Sequence, residues 1–226
     1  MTARRRLLLL ASLASLALLA PVASAGAYED FFKAIELDDD RTIADLLRRG
    51  FDPNARDSHR QPAIIVALDK DSRKGAAVLL ANRKLKVEAR NAKDESALMM
   101  AALRGNLEAA RTLIARDADV NKTGWTPLHY AASGSADTAQ AMVRLLLEHS
   151  AYIDAGSPNG TTPLMMAAQY GEIDVARLLL QEGADPTIKN QLGLTAADFA
   201  RKAERDGLVQ DIVRALQQQR PNKGQW

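Results

Sequence analysis

The sequence predicts an all-α protein, a solenoid of about six stacked helix-turn-helix units with projecting loops. Three observations carry that expectation. A pattern of paired leucines followed by a small polar stop returns every 33 or 34 residues along the chain. Aromatic residues are scarce, with 4 Phe, 4 Tyr and 2 Trp, while apolar residues make up 47% of the sequence, so a core must come from packed Leu and Ala helices. Helix-start signals of the Thr-Pro-Leu type recur upstream of the paired leucines, as Thr126 before Leu146-Leu147 and Thr162 before Leu179-Leu180.

The first element is read as an address rather than a fold. Arg4, Arg5 and Arg6 precede an apolar run from Leu7 to Ala20, and Ala23-Ser24-Ala25 offers small residues at the two positions a signal peptidase reads. Residues 1–25 are therefore expected to be a signal peptide, cleaved near Ala25, with the mature chain periplasmic or secreted. An uncleaved anchor is the alternative, and a twin-arginine route is a variant of the first reading. Cleavage leaves 27 basic and 28 acidic residues, so the net charge of +2 on the full chain resides in the export segment. No membrane span is expected after cleavage.

Six units follow, at about 27–56, 57–91, 92–121, 122–154, 155–187 and 188–216. Taking Asp52, Lys86, Asp119, Tyr152 and Asp185 as equivalent, the steps are 34, 33, 33 and 33 residues. The fifth unit shows the logic of each. The Thr162 hydroxyl is placed to accept from the exposed amides of a helix start, and Pro163 fills the first helical position, where a missing amide costs nothing. Ala167-Ala168 lets helices approach closely, and Gly171 is expected to close the first helix in a left-handed conformation. Ile173 to Gln181, apolar on nearly every face, must be sandwiched, and Gly183 ends it. Two helices of about nine residues cannot bury their apolar faces alone, so stability must come from neighbours in a row.

The other units depart from that pattern. Lys84, Asp117 and Ser150 take the place of Gly50 and Gly183 at the ends of second helices. Lys tolerates a positive φ worst, so the second unit is expected to be the least regular. In the fourth unit the loop between Asn121 and Gly124 is three residues short, and Ser133 to Thr138 lengthens the inter-helix turn by three. The first unit lacks Thr-Pro-Leu. The last carries Lys202, Glu204, Arg205 and Asp206 where a middle unit would be buried, as suits a wettable end cap. Residues 217–226 are expected to be a flexible C-terminal tail.

Gly124-Trp125-Thr126-Pro127-Leu128-His129, Gly160-Thr161-Thr162-Pro163-Leu164, Gly193-Leu194-Thr195-Ala196 and the Leu-Leu and Gly-Ala-Asp landmarks together resemble the ankyrin repeat. The resemblance covers about Ala27 to Leu216. It implies a structural role for His129, hydrogen-bonding adjacent loops, with Met99, Met165, Ile64 and Asp198 in the same slot elsewhere. It also implies a concave face lined by loop tips and the exposed side of each first helix, used to bind another protein. Carried onto this chain, the residue before each helix start gives Arg60, Glu95, Trp125, Thr161 and Leu194. The residues after the alanine pair give Leu68, Asp69, Leu103, Arg104, Gln169 and Tyr170. Of these, Arg60, Asp69, Glu95, Arg104, Trp125, Thr161, Gln169, Tyr170 and Leu194 form the expected partner-binding set, with Trp125 as anchor; the leucines, and the pairs Met99-Met100 and Met165-Met166, read more readily as packing.

Nothing in the residues assembles a catalytic, cofactor or metal site. With no cysteine there is no disulfide, thiolate metal site or cysteine nucleophile. His59, His129 and His149 form no pair at helical spacing. Asp38-Asp39-Asp40 precedes a helix, where acids suit the dipole, and lacks alternating calcium ligands. Gly156 and Gly160 follow no strand and precede no Lys-Ser/Thr, so phosphate cradling is unsupported. Near-neutral charge disfavours nucleic acid. The expectation is a non-enzymatic, monomeric, exported protein-interaction module. A periplasmic inhibitor or immunity protein for a toxic enzyme is one alternative. The other is an exported enzyme or metal-dependent factor, which would require Asp38, Asp39, Asp40 and Asp69 to share a cleft.

Overall fold

A computed structural model describes residues 20–219, in which twelve helices pair into six units. The first unit is α1 (Ala20–Glu36) and α2 (Asp40–Arg48), the second α3 (Ala63–Asp69) and α4 (Arg73–Ala81), and the third α5 (Ala97–Leu103) and α6 (Leu107–Ile114). Then come α7 (Pro127–Ser133) and α8 (Ala139–Glu148), α9 (Pro163–Gln169) and α10 (Ile173–Gln181), and α11 (Ala196–Lys202) and α12 (Asp206–Gln219). First helices pack on neighbouring first helices in one layer, second helices on second helices in another, and each first helix packs on the second helix of its own unit, which is the architecture of a solenoid. The expected signal segment, residues 1–25, lies outside the described residues except that α1 includes residues 20–25. Of the expected tail, residues 217–219 belong to α12, which continues through Gln219, and residues 220–226 lie outside the described residues.

The helices start where their caps dictate. Ser96, Thr126, Thr162 and Thr195 each accept the backbone N–H three residues on, and the side chains of Met99, His129, Met165 and Asp198 accept the cap residue's own N–H in return. The slot assigned above to packing is therefore a reciprocal hydrogen-bond position. The second unit explains itself by contrast. Pro62 sits at the cap and has no N–H to satisfy, so an apolar residue suffices, and that residue is Ile65 rather than Ile64. This one-residue shift also moves Arg60 into register with Asp94, Gly124, Gly160 and Gly193, all left-handed, and places buried Leu68 where the second alanine of the pair stands elsewhere.

Second helices end as the repeat demands, with one exception. Gly50, Asp117, Ser150 and Gly183 all adopt positive φ, between 62° and 97°. Lys84 does not. There the helix stops at Ala81, Asn82 turns extended, and its side chain accepts the Lys84 amide. The carbonyls left over are taken by Arg116 of the next unit, whose guanidinium donates to Leu80 O at 2.6 Å and Leu85 O at 3.0 Å. Gly171 likewise departs from expectation, since its φ is not left-handed. It is glycine because a Cβ there would lie 1.9 Å from the Ala132 carbonyl oxygen. Nor is α10 apolar all round. Val175, Ala176, Leu178 and Leu179 are buried between α8 and α12, while Asp174 and Arg177 face outward.

One continuous core runs through the stack. Leu79, Leu113, Leu146 and Leu179, one per unit, are each 0% exposed, and burial of a leucine contributes about 1.5–3 kcal/mol. Between units the loops are tied at a fixed register. Asn54, Glu88, Asn121 and Asp154 accept the backbone N–H groups of Lys86, Asp119, Tyr152 and Asp185 at 2.7–3.0 Å. These four amides belong to the landmark positions that set the period. Burial pushes the Asp154 carboxyl above its ordinary pKa.

Candidate partner-binding face

The exposed sides of the first helices and the loops before them form one face of the stack, and the fourth unit contributes its centre. Trp125 precedes the Thr126 cap, half-buried, with its indole edge-on to the His129 ring at 5.2 Å. His129 is wholly buried and neutral. Its Nδ1 accepts the Thr126 N–H at 3.2 Å, so the proton lies on Nε2, which donates to the Thr161 carbonyl at 2.8 Å. Burial holds its pKa below the usual histidine value. His129 thus ties the fourth loop to the fifth, the structural role that the resemblance implied.

Around Trp125 a groove of about 240 Å³ is lined by Leu103, His129, Tyr130, Ser133 and Met166, drawn from units three, four and five. The Tyr130 hydroxyl donates to Glu95 Oε1 at 2.8 Å, and burial together with that carboxylate raises its pKa. Tyr170 is 62% exposed further along the same helix layer. Gln169 and Leu194 are half-buried. On the other side Asp69 and Arg104 form an ion pair at 2.9 Å across units two and three, and Arg60 is exposed on its loop with its carbonyl accepting from Arg56.

One residue of the expected set does not reach the face: Thr161 is 3% exposed, because its amide is held by Ser157 and its carbonyl by His129. Leu68, read as packing, is 2% exposed in the core. Conversely, Tyr130, Ser133 and Met166 belong to the groove, and sequence reasoning missed them. Met166 had been assigned to packing with Met165, yet only Met165 is buried. Tyr130 and Met166 both follow the cap-pairing slot by one residue and are half-buried, whereas Met100 and Val66 at the same position are buried, so position alone does not mark the groove.

The acidic cluster does not converge. Asp39 caps α2 by accepting from Thr42, which holds its pKa low. Asp38 accepts from the Ser72 hydroxyl and the Gly75 amide, each at 2.9 Å, and Asp69 is paired with Arg104. Among the described residues no three His, Asp or Glu side chains are placed to hold a metal ion, and no helix is long and apolar enough to cross a membrane.

Stacked pairs of short capped helices with left-handed loop returns define a repeat protein of the helix-turn-helix solenoid class. The family model described as ankyrin repeats, in three copies, matches residues 31–123, 72–142 and 117–190, and the chain belongs to the ankyrin-repeat family. The chain is similar to the nuclear factor NF-kappa-B p105 subunit of Gallus gallus, 32% identical over 66% of this chain and 16% of that protein. It is also similar to the B-cell lymphoma 3 protein homolog of Mus musculus, 32% identical over 76% of this chain and 40% of the relative. The transient receptor potential cation channel subfamily A member 1 of Homo sapiens is 29% identical over 69% of this chain and 15% of its own length. The similarity thus spans less than half of each relative. Ankyrin repeats generally mediate protein–protein interaction, and the family is typically non-enzymatic.

Proposed function

We propose that this chain is an exported, non-enzymatic module that binds another protein through the face centred on Trp125. The observation that supports this most is the half-open apolar groove of Trp125, Leu103, Tyr130 and Met166, beside the 62% exposed Tyr170. Aromatic anchors over a fixed frame are the composition of interface hot spots, and truncating one typically costs about 2 kcal/mol or more of binding. The extended surfaces of solenoids serve this use. Export rests on Arg4 to Arg6, the apolar run to Ala20 and the small residues Ala23 and Ala25.

Affinity capture from an envelope extract tests the binding reading. The protein recovers a specific partner protein, and a Trp125→Ala/Tyr170→Ala double variant with an unchanged helical circular dichroism spectrum loses it. Equal capture by the double variant refutes the mapped face. N-terminal sequencing of exported protein should begin at Gly26; a sequence beginning at Met1 rejects cleavage.

A further inference from the structure

Along the loops, the distance from the tying residue to the left-handed return is six residues in the loops that lead into units two, three and five, as from Asp154 to Gly160. In unit four, from Asn121 to Gly124, it is three. The row of loop tips therefore has a gap at unit four, and Trp125 stands immediately behind it. The groove at this gap, about 240 Å³, is smaller than the ~300–1,000 Å³ of clefts that hold small-molecule ligands. Its polar lining is already in use. His129 is committed to Thr126 and Thr161, the Tyr130 hydroxyl to Glu95, and the Ser133 hydroxyl donates to the Tyr130 carbonyl. The Trp125 indole N–H is the one side-chain donor of this lining without a hydrogen-bond partner among the described residues, so the groove is predominantly apolar and an apolar side chain is what complements it.

Leu103 also lines an adjoining groove of about 470 Å³ that includes Asp69, Glu95 and, on its loop side, His59 and Lys93. Asp69 is neutralised by Arg104. Glu95 accepts from the neutral groups of Tyr130 and Asn91, at 2.8 and 2.6 Å, and forms no ion pair with a described residue. A carboxylate without an ion-pair partner on the rim of an apolar notch complements a cation brought by the partner.

We infer that the notch at the shortened loop takes a partner segment in which a large apolar side chain lies within two residues of a lysine or arginine. The apolar side chain enters between Leu103, Trp125, Tyr130 and Met166, and the cation settles against Glu95. This rests on the protein-binding reading and narrows it to a chemistry.

The test uses the full chain and a phage-displayed library of random dodecapeptides. Enriched peptides carry Leu, Met, Phe or Trp within two positions of Lys or Arg. Synthesised, they shift the emission of Trp125 in a Trp226→Phe variant, where it is the remaining one of 2 tryptophans. Trp125→Ala weakens binding about tenfold or more, Trp125→Phe retains the larger part of it, and Glu95→Gln weakens it about threefold in a manner that added salt erases. Absence of enrichment, peptides lacking the apolar–basic pair, or equal affinity for Trp125→Ala overturns the inference. If enriched peptides instead depend on Tyr170 and Gln169 alone, the notch assignment falls while binding through the wider face stands.

Discussion

Units four and five have the same helices and different edges. Both begin with Thr-Pro-Leu, cap reciprocally, and bury Ala131-Ala132 and Ala167-Ala168 against one another. Unit five keeps the long loop and the short inter-helix turn. Unit four shortens the first by three residues and extends the second through Gly134 to Thr138, where the Thr138 hydroxyl donates to the Gly105 carbonyl at 2.7 Å. Even the tie between loops differs, being Asn121 in one and Asp154 in the other. The frame is thus fixed by the helix interfaces, and the edges are free to vary; the groove lies where they vary.

Substitutions at equivalent points of the two units sharpen this contrast. The largest effect is expected at Gly171. Its added Cβ would collide with the backbone of unit four, so Gly171→Ala should cost about 3 kcal/mol in urea unfolding. Gly124→Ala should cost about 1 kcal/mol, because an added Cβ would make only ordinary contact with Pro158 and only the φ of 86° is unsuited to alanine. Comparable losses at the two sites would show that unit four is as tightly fitted at its loop as at its helices.

Next in size is His129→Ala, which strands the buried Thr126 amide and Thr161 carbonyl and should destabilise by about 2 kcal/mol. His129→Met keeps an acceptor for Thr126, as Met165 does for Thr162, and should lose less. The two also differ in pH response. Because the folded pKa of His129 lies below its unfolded value, the folded protein resists protonation. Its contribution is complete at neutral pH and is lost as pH falls through the ordinary histidine range near ~6.5. Unfolding curves measured between neutral and mildly acid pH should show this slope in the natural chain and a flatter one in His129→Met. An unchanged slope would mean that another group carries it.

Asp154→Asn, which gives unit five the tie of unit four, should stabilise by about 0.5–1 kcal/mol at neutral pH. The folded pKa of Asp154 is raised, so acid relieves the natural chain and the gain should shrink as pH falls into the carboxylate range. Smallest is Tyr170→Ala, exposed and unpaired with the core, which should leave the unfolding midpoint within about 0.5 kcal/mol of the parent while lowering partner capture.

What the sequence disclosed was what repeats. Caps at Thr126, Thr162 and Thr195, the stop at Gly183 and the 33-residue step are local in origin, and each was readable from a handful of neighbouring residues. The misplacements share one source. A proline can occupy the cap itself, as Pro62 does, so Arg60, Ile64 and Leu68 all stand one place off the register expected of them. That Lys84 would avoid a left-handed turn was legible; that Arg116, more than thirty residues on, would supply the missing partners was not, since it depends on how one unit lies on the next. The groove was half-legible for the same reason. Trp125 and Leu103 were named from their positions, whereas Tyr130 enters through its bond to Glu95 of the preceding unit.

Arg205 of the last unit reaches back to the carbonyls of Ala167 and Gly171, at 3.1 and 2.6 Å, as Arg116 does to the second unit. Damage by a protease at the carboxyl end would therefore travel inward: trimming the terminal helices removes the donor that keeps α9 closed, and the unit bearing Tyr170 becomes the new fraying end. Loss from the amino end removes no such donor from Ala167 or Gly171. The array is thus anisotropic toward degradation, with the proposed binding face guarded by the last pair of helices rather than the first.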